Sequence, residues 1–530
     1  MSHSIEQRWQ RAKGYLSRRE PAPALAQLEA MRAQDPRDVR TRLLGSQIAW
    51  RENRIRDATL EALEALRVVP EDAGLLCDTI EALLQTGEVV AARACLARPG
   101  LVRVSTPGLL LRMADFTQRL NQHGESLGFV ERAIAAGATD PETAFHHGGQ
   151  LYFHGRMSEA ETVLDACLGE KPEHGRAAYT LSSLHAQTPA SNHLAQLEAG
   201  LARVARGSLD HAALEFARYK EYEDLGRLDD AWNSLAAGNA VMRARNRFDA
   251  RLQTAFQDKL AAACTAVVPQ VPATALTGPQ PIFVLGLTRS GTTMLDRMLS
   301  NHTQVRSAGE MVDFAAQLQW AADSRDTHDD EYFARLAKVD YPQLGQRYLT
   351  QTQWRARGKP RFIDKQPSNW QVAALIHAAL PQAKILHLVR DPMDTCFSNW
   401  RAFFGDAYGY SYDMATLGAY HRAYRRTMAR WHESMPGAIL DVPYADLTRD
   451  PEATMRKVLD YCELAWEPGC VELTHNPTPV ATLNVAQVRG PLHTRAAGLW
   501  RTYADQLGPL RAELDAEMPN PGAATETRDQ

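Results

Sequence analysis

Apolar residues follow a helical period in the first half of the chain and gather in short continuous runs in the second half. Residues 1–255 are rich in Ala, Leu, Arg and Glu, and leucines recur four residues apart. From residue 281, short β-rich runs alternate with helical segments, most clearly at 282–285, 384–389 and 439–442. This alternation predicts a mostly parallel sheet with helices on both faces, placed after an all-helical region.

The helical half contains a repeat that is marked by prolines. Prolines that follow Ala/Leu-rich segments are spaced by 34, 37, 34 and 31 residues; they are Pro36, Pro70, Pro107, Pro141 and Pro172. Each is expected to stop the second helix of a pair, because proline lacks the backbone donor and clashes with the preceding turn. The period resembles that of the tetratricopeptide repeat (TPR), whose helix pairs bury their apolar faces by stacking. A nonspecific α-solenoid or helical bundle is the alternative.

Small residues recur at equivalent places in these units. Gly87, Gly155 and Gly226 each stand before the second helix of a pair. We expect such small residues to let paired helices approach closely. The array would offer either a docking surface for a peptide or protein, or a module for stabilisation or homodimerisation, and the pattern favours neither.

Composition sets the domain boundaries. At roughly 150 residues per domain, a chain of 530 residues holds at least two domains. The segments Val-Pro-Gln-Val-Pro at 268–272 and Gly-Pro-Gln-Pro at 278–281 are typical of a linker. We therefore predict a TPR-like helical repeat domain over 1–255, a linker over 256–280, an α/β domain over 281–515 and a polar tail over 516–530.

Charge and cysteine content exclude several classes of protein. The formal net charge of −4 argues against a general nucleic-acid binder. Seven scattered cysteines without CxxC spacing predict neither a disulfide framework nor a structural zinc site. The first residues lack the apolar core of a secretory signal, and no run approaches the roughly 20 apolar residues of a membrane span. The expectation is a cytoplasmic protein with reduced thiols.

A phosphate-binding loop is predicted where the first strand of the second half ends. Gly286 and Gly291 have the spacing of the loop G-x-x-x-x-G-K-[ST], but Thr292 stands at the lysine position. Backbone N–H groups at the start of the following helix form an anion site, and Thr292 and Thr293 add hydroxyl donors. The missing lysine counts against an ordinary ATPase or kinase, and Arg289 supplies the cation from inside the loop.

A second motif follows the run at 384–389. Arg390 stands at the end of this strand, where open α/β sheets bind ligands. Asp391 is suited to cap the next helix and Pro392 to begin it. Ser398 follows eight residues after Arg390, so that both could hold one phosphate. The alternative is a structural Arg390 paired to a capping Asp391.

Together the two motifs resemble the sulfotransferase family, which uses 3′-phosphoadenosine 5′-phosphosulfate (PAPS). The resemblance is closest to the tyrosylprotein-sulfotransferase branch and its bacterial TPR-fused relatives. It implies a P-loop-like parallel-sheet α/β fold for the second domain. It also implies that Arg390 and Ser398 hold the 3′-phosphate of PAPS. The residues implied to cradle the 5′-phosphosulfate are Arg289, Ser290, Gly291, Thr292 and Thr293.

The same resemblance implies catalytic roles for three residues and no metal. Glu310, at the end of the pattern H-x-x-V-x-x-x-G-E from His302, corresponds to the general base. Lys365 would contact the bridge to the leaving phosphate and the transferring sulfuryl group, and Arg289 would meet the developing charge. A closing segment over the nucleotide would include Asn484, Gln487 and Arg489. Asn484 replaces a frequent Ser, and Leu499 replaces a frequent basic residue.

The resulting hypothesis is a PAPS-dependent sulfotransferase that acts on an acceptor hydroxyl, with tyrosine of a peptide or protein favoured by the resemblance around Glu310. A small-molecule alcohol or carbohydrate stays open as acceptor. The alternatives are a P-loop-type kinase and a catalytically inactive nucleotide-binding TPR scaffold.

Overall fold

The computed structural model describes residues 4–265, 277–326, 329–473, 476, 478–479 and 497–516. The first of these ranges is helical. Its helices form antiparallel pairs that pack on their neighbours along the chain. They are α1 (Ile5–Ser17), α2 (Pro21–Gln34), α3 (Val39–Arg51), α4 (Ile55–Val68), α5 (Ala73–Gln85), α6 (Val89–Leu96), α7 (Pro99–Val102), α8 (Pro107–Arg119), α9 (His123–Ala135), α10 (Pro141–Phe153), α11 (Met157–Glu170), α12 (Gly175–Leu184), α13 (Leu194–Arg203), α14 (Leu209–Asp224), α15 (Leu228–Arg245) and α16 (Ala250–Thr265).

The turns inside the helix pairs share one backbone conformation. Gly87, Gly155 and Gly226 have φ of 78°, 77° and 72°, and Asn53 and Asn121 occupy the equivalent places with φ of 62° and 58°. These values lie in the left-handed region, which Gly and Asn tolerate best. The glycines therefore serve the tight turn between paired helices, which corrects the expectation that they mediate close helix packing.

The repeat prolines lie at the junctions between successive pairs. Pro36, Pro70 and Pro172 stand in the turns after a second helix, whereas Pro107 and Pro141 are the first residues of α8 and α10. The expectation that each proline stops a helix is thus corrected for Pro107 and Pro141. Proline fits the first helical position because its missing N–H has no partner there in any case.

The second domain contains five parallel strands and ten α-helices among the described residues. The strands are β1 (Gln280–Gly286), β2 (Val305–Ser307), β3 (Arg361–Asp364), β4 (Lys384–Val389) and β5 (Ile439–Pro443). The α-helices are α17 (Thr292–Ser300), α18 (Asp313–Ala322), α19 (Asp330–Leu336), α20 (Tyr341–Thr352), α21 (Ala373–Ala379), α22 (Pro392–Trp400), α23 (Met414–Ser434), α24 (Tyr444–Arg449), α25 (Pro451–Tyr461) and α26 (Gly508–Asp515).

The strand order is β2-β3-β1-β4-β5, and every pairing is parallel. The fold class predicted from the sequence, a TPR-like helical array followed by a P-loop-like parallel-sheet domain, is confirmed. Strands β1, β4 and β5 coincide with the apolar runs, whereas β2 and β3 are only three and four residues long and gave no such run. Helices cover both faces, so that β1 is buried along nearly its whole length.

The last array helices share one apolar core with the α/β domain. Phe216 of α14 is fully buried, and its ring centroid lies 5.5 Å from that of Phe403. Trp232 of α15 packs on Trp400, with ring centroids 4.8 Å apart. Helix α16 continues to Thr265, so the first ten residues of the range 256–280 are helical. Within the described residues, no helix has both the length and the apolar character needed to cross a bilayer.

Candidate active site

The loop between β1 and α17 has the geometry of an anion cradle. Gly291 caps α17 with φ 111°, and a Cβ there would lie 2.5 Å from the Tyr444 ring, so the position requires glycine. Thr292 and Thr293 begin the helix and are buried. The Ser290 hydroxyl is buried without a hydrogen-bond partner among the described residues. A phosphate oxygen would satisfy this hydroxyl and the N–H groups at the helix start.

Arg289 lies at the centre of the cationic groups that the sequence singled out. It adopts φ 71°, and its Nε donates to the Ser398 hydroxyl at 3.2 Å. Nη1 of Arg390 donates to the Arg289 carbonyl at 3.1 Å. Burial lowers the pKa of Arg289 to about 10, with further lowering by the neighbouring Arg401 and Arg390. Arg289 therefore stays charged at neutral pH.

The second motif is held against the first by α22. The Asp391 carboxylate accepts from the backbone N–H of Asp394 at 2.9 Å, which is the predicted helix cap. The Arg390 guanidinium lies over the Tyr444 ring, 4.7 Å from its centroid. Tyr444 is also the ring that closes against Gly291. One aromatic side chain thus connects the phosphate loop to the Arg390 end of the site.

Glu310 and Lys365 meet because β2 and β3 are adjacent parallel strands. Each residue follows the carboxyl end of its strand, and the Lys365 N–H donates to the Gly309 carbonyl at 3.0 Å. The Lys365 ammonium then donates to Glu310 Oε1 at 2.5 Å. Lys365 is 2% exposed, whereas the Glu310 side chain is 39% exposed. A fixed, buried cation therefore stands beside an accessible carboxylate.

Two buried carboxyl groups lie behind this pair. Asp364 accepts a hydrogen bond from the Tyr348 hydroxyl at 2.8 Å, and burial raises its pKa to about 8. Burial also raises the pKa of Asp296, against the opposing charge of Lys365. At neutral pH, Asp364 is therefore largely protonated and adds no full negative charge beside Lys365.

One residue of the site escaped the sequence argument because it lies in the helical array. The Asn121 side-chain amide donates to the carbonyl of Ala308 at 2.9 Å and to that of Glu310 at 2.8 Å. These bonds fix the segment on both sides of Gly309, which has φ 80°. The place of Asn121 in the repeat turn explains its backbone conformation. Nothing in the local sequence pattern indicates that its side chain binds Glu310, 189 residues away.

Asn484, Gln487 and Arg489, expected over the nucleotide, lie outside the described residues. The end of that segment is described, and the N–H of Gly498 donates to Asp394 Oδ1 at 2.8 Å. The C-terminal part of the chain therefore returns to the helix that carries Ser398.

Two cavities meet at Glu310. One of ≈270 Å³ also borders Lys365, Asp296 and Asn121. The other, of ≈490 Å³, lies between the helical array and the α/β domain and borders Arg289 and Thr292. Glu310 thus faces both the phosphate loop and the junction of the two domains.

Part of the chain matches a known family profile. Residues 281–468 match the profile described as "Sulfotransferase family". An uncharacterized protein of Aquifex aeolicus is 29% identical over 56% of this chain and 41% of its own length. A protein-tyrosine sulfotransferase of Drosophila melanogaster is 24% identical over 41% of this chain and 46% of its own length. The chain thus spans less than half of either relative.

Among solved structures, the sulfotransferase domain of the Synechococcus PCC 7002 olefin synthase is similar to part of this chain. It is 21% identical, covers 44% of this chain and 91% of its own, and has a TM-score of 0.31. The resemblance drawn from the motifs is confirmed by the family match over 281–468.

Proposed function

Because residues 281–468 match the profile of the sulfotransferase family, we propose that the protein transfers a sulfuryl group from PAPS to an acceptor hydroxyl. The observation that carries the proposal is the Lys365–Glu310 pair at 2.5 Å, next to the phosphate loop of Arg289. The pair joins a buried cation for the leaving phosphate to an accessible carboxylate for the acceptor proton.

The residues present fit PAPS as a substrate. The loop 289–293 offers helix N–H groups, the buried Ser290 hydroxyl and a charged Arg289 to the 5′-phosphosulfate. Arg390 and Ser398, joined through Arg289, would hold the 3′-phosphate. Lys365 and Arg289 would stabilise the charge that develops on the leaving phosphate, as preorganised donors do in phosphoryl transfer.

The proposed step is an in-line displacement that balances as follows. A lone pair of the acceptor oxygen forms the new S–O bond, while the bond from sulfur to the bridging oxygen of the donor breaks. The electron pair of that bond goes to the 5′-phosphate, which leaves as part of 3′-phosphoadenosine 5′-phosphate (PAP). Glu310 takes the acceptor proton on a carboxylate oxygen, a contribution of about 100- to 10,000-fold.

The Glu310 segment, through its resemblance to the tyrosylprotein-sulfotransferase branch, favours a phenol as acceptor, as in tyrosine of a peptide or protein. The name of the Drosophila relative points the same way. Docking of the acceptor on the helical array is part of this proposal, since the ≈490 Å³ cavity borders both the array and Glu310.

Calorimetry with PAP and a sulfate-transfer assay with PAPS test the proposal. Glu310→Gln should retain PAP binding and lose about 100-fold or more in kcat, because it removes the base and keeps the shape. Arg390→Ala should weaken PAP binding. Glu433→Gln, an exposed glutamate on α23, is the matched control and should behave like wild type.

Three results would contradict the proposal. Absence of PAP binding would exclude a PAPS-dependent sulfotransferase. Tighter binding of Mg-ATP than of PAP would favour a P-loop-type kinase. Full activity of Glu310→Gln would remove Glu310 from the mechanism.

A further inference from the structure

The ≈490 Å³ cavity between the two domains has one wall that the α/β domain does not supply. Residues of α10 that line it are spaced three and four apart, which places them on one face of the helix. They are Phe145, Gly149, Tyr152 and Phe153. A similarly spaced face of α12 continues the wall with Arg176, Tyr179, Thr180 and Ser183.

The opposite wall comes from the segment after α22. Phe403, Phe404 and Tyr408 border the cavity there. Tyr179 joins the two walls, because its ring lies 5.4 Å from that of Phe403 and its hydroxyl accepts from the Phe403 N–H at 3.4 Å. Arg289 and Glu310 form the end at which the reaction is proposed.

Among the described lining residues, charged side chains lie at this end of the cavity, apart from Arg176. Arg176 donates two hydrogen bonds to Glu142, at 3.1 Å and 2.9 Å, and is thereby paired. Glu310 is the acidic residue in the described lining. Burial raises the pKa of Tyr408, and the charge of Glu310 raises it further. The rest of the described lining is mainly aromatic. The cavity volume of ≈490 Å³ lies within the ~300–1,000 Å³ typical of small-molecule sites.

We infer that helices α10 and α12 of the repeat array form the acceptor-binding wall, and that the acceptor is a small, apolar, ring-bearing compound, rather than tyrosine within a peptide or protein, whose hydroxyl reaches Glu310. This inference rests on the proposed function and names its substrate class. Seven aromatic side chains line the cavity, and such side chains bind flat apolar rings by stacking and edge contacts. The helical array would then determine specificity, while the α/β domain supplies the chemistry.

Gly149 offers a direct test of the acceptor-binding wall. A Cβ added at Gly149 meets no atom within 4 Å, and neither does one at Gly128, which lies inside α9 and away from this cavity. Gly149→Leu should therefore place a side chain in the cavity from the array side, starting from an unobstructed Cβ, and Gly128→Leu is the matched control. Thr180→Leu fills the cavity from α12 and serves if Gly149→Leu fails to fold.

The probe is 2-naphthol, added to the full chain in complex with PAP and followed by its fluorescence and by turnover with PAPS. We expect saturable binding to wild type and to Gly128→Leu. Gly149→Leu or Thr180→Leu should weaken binding by about tenfold or more, with PAP affinity unchanged.

Undiminished 2-naphthol binding by both cavity variants would overturn the inference. So would absence of 2-naphthol binding to wild type, or sulfation of tyrosine peptides that Gly149→Leu leaves unchanged. Failure of PAP to bind would instead refute the proposed function. The same variant pattern in 2-naphthol binding to the nucleotide-free chain would then still support the cavity as an aromatic-ligand site.

Discussion

The early and the late parts of the helical array meet the α/β domain in different ways. Turns at Asn53, Gly87 and Asn121 contact it mainly through polar groups. Asn53 binds Ser324 at 2.8 Å, Gly87 accepts from Gln317 at 2.9 Å, and Asn121 holds two carbonyls beside the site. Helices α14–α16 instead merge with the α/β core through buried rings such as Phe216.

This difference separates stability from positioning. Burial of apolar side chains is the dominant favourable term in folding, whereas a hydrogen bond contributes only ~0.5–1.5 kcal/mol net. The late helices should therefore determine whether the α/β domain is stable. The early turns should determine where the Glu310 segment lies.

The largest expected effect tests the shared core. Phe216→Ala removes a fully buried ring that packs on Phe403 and Tyr412, and should reduce the free energy of unfolding by about 3–5 kcal/mol. Chemical denaturation of the full chain measures this. Leu60→Ala, at a side chain 58% exposed, is the control and should change stability by less than about 0.5 kcal/mol. Similar losses in both variants would show that the late helices do not share the core.

Buried Asp364 should give the α/β core a specific pH dependence. Its pKa of about 8 in the folded protein lies above the ~3.9 of the unfolded chain, so the folded state binds the extra proton between these values. This group's contribution to stability is fully present below pH ~4 and is lost as the pH rises through about 8.

Asp364→Asn keeps an acceptor for the Tyr348 hydroxyl and cannot ionise. Relative to this variant, wild type should lose up to about 1.4 kcal/mol of stability per pH unit within that window. Denaturation curves at pH 5, 7 and 9 give the comparison. Parallel pH profiles for the two proteins would show that Asp364 ionises normally.

The smallest expected effect sharpens the contrast between stability and positioning. Asn121→Gly and Asn53→Gly keep left-handed turns at φ 58° and 62° and remove only the side-chain contacts. Both should cost about 1 kcal/mol of stability. Asn121→Gly should also lower kcat about tenfold, equivalent to ~1.4 kcal/mol, because the carbonyls of Ala308 and Glu310 lose their donor.

Asn53→Gly should leave kcat unchanged, because its partners Ser324 and Arg325 lie outside the site. The readout that separates positioning from general stability is kcat in the sulfate-transfer assay, compared at equal melting behaviour. An equal loss of kcat in both variants would show that the turns act through stability alone.

Continuous motifs explain what could be predicted. Arg289, Ser290, Gly291, Thr292 and Thr293 lie in one loop, so the sequence alone indicates an anion site. Glu310 and Lys365 follow strands too short to detect from the sequence, yet their motifs predicted a role for both. The adjacency of β2 and β3 brings the two side chains together. The closing-segment residues Asn484, Gln487 and Arg489 stay predictions.

The sequence by itself determined the two-part fold class and predicted the residues of an anion-binding loop, because helical period, apolar runs and loop spacing are local properties. Only the tertiary structure decided which array residues take part in the site. Asn121 and Tyr179 reach Glu310 and Phe403 across 189 and 224 residues of chain. Stacking of successive helix pairs brings Asn121 and Tyr179 to these positions. The register of that stacking depends on contacts between many helix faces, and no local sequence pattern encodes it.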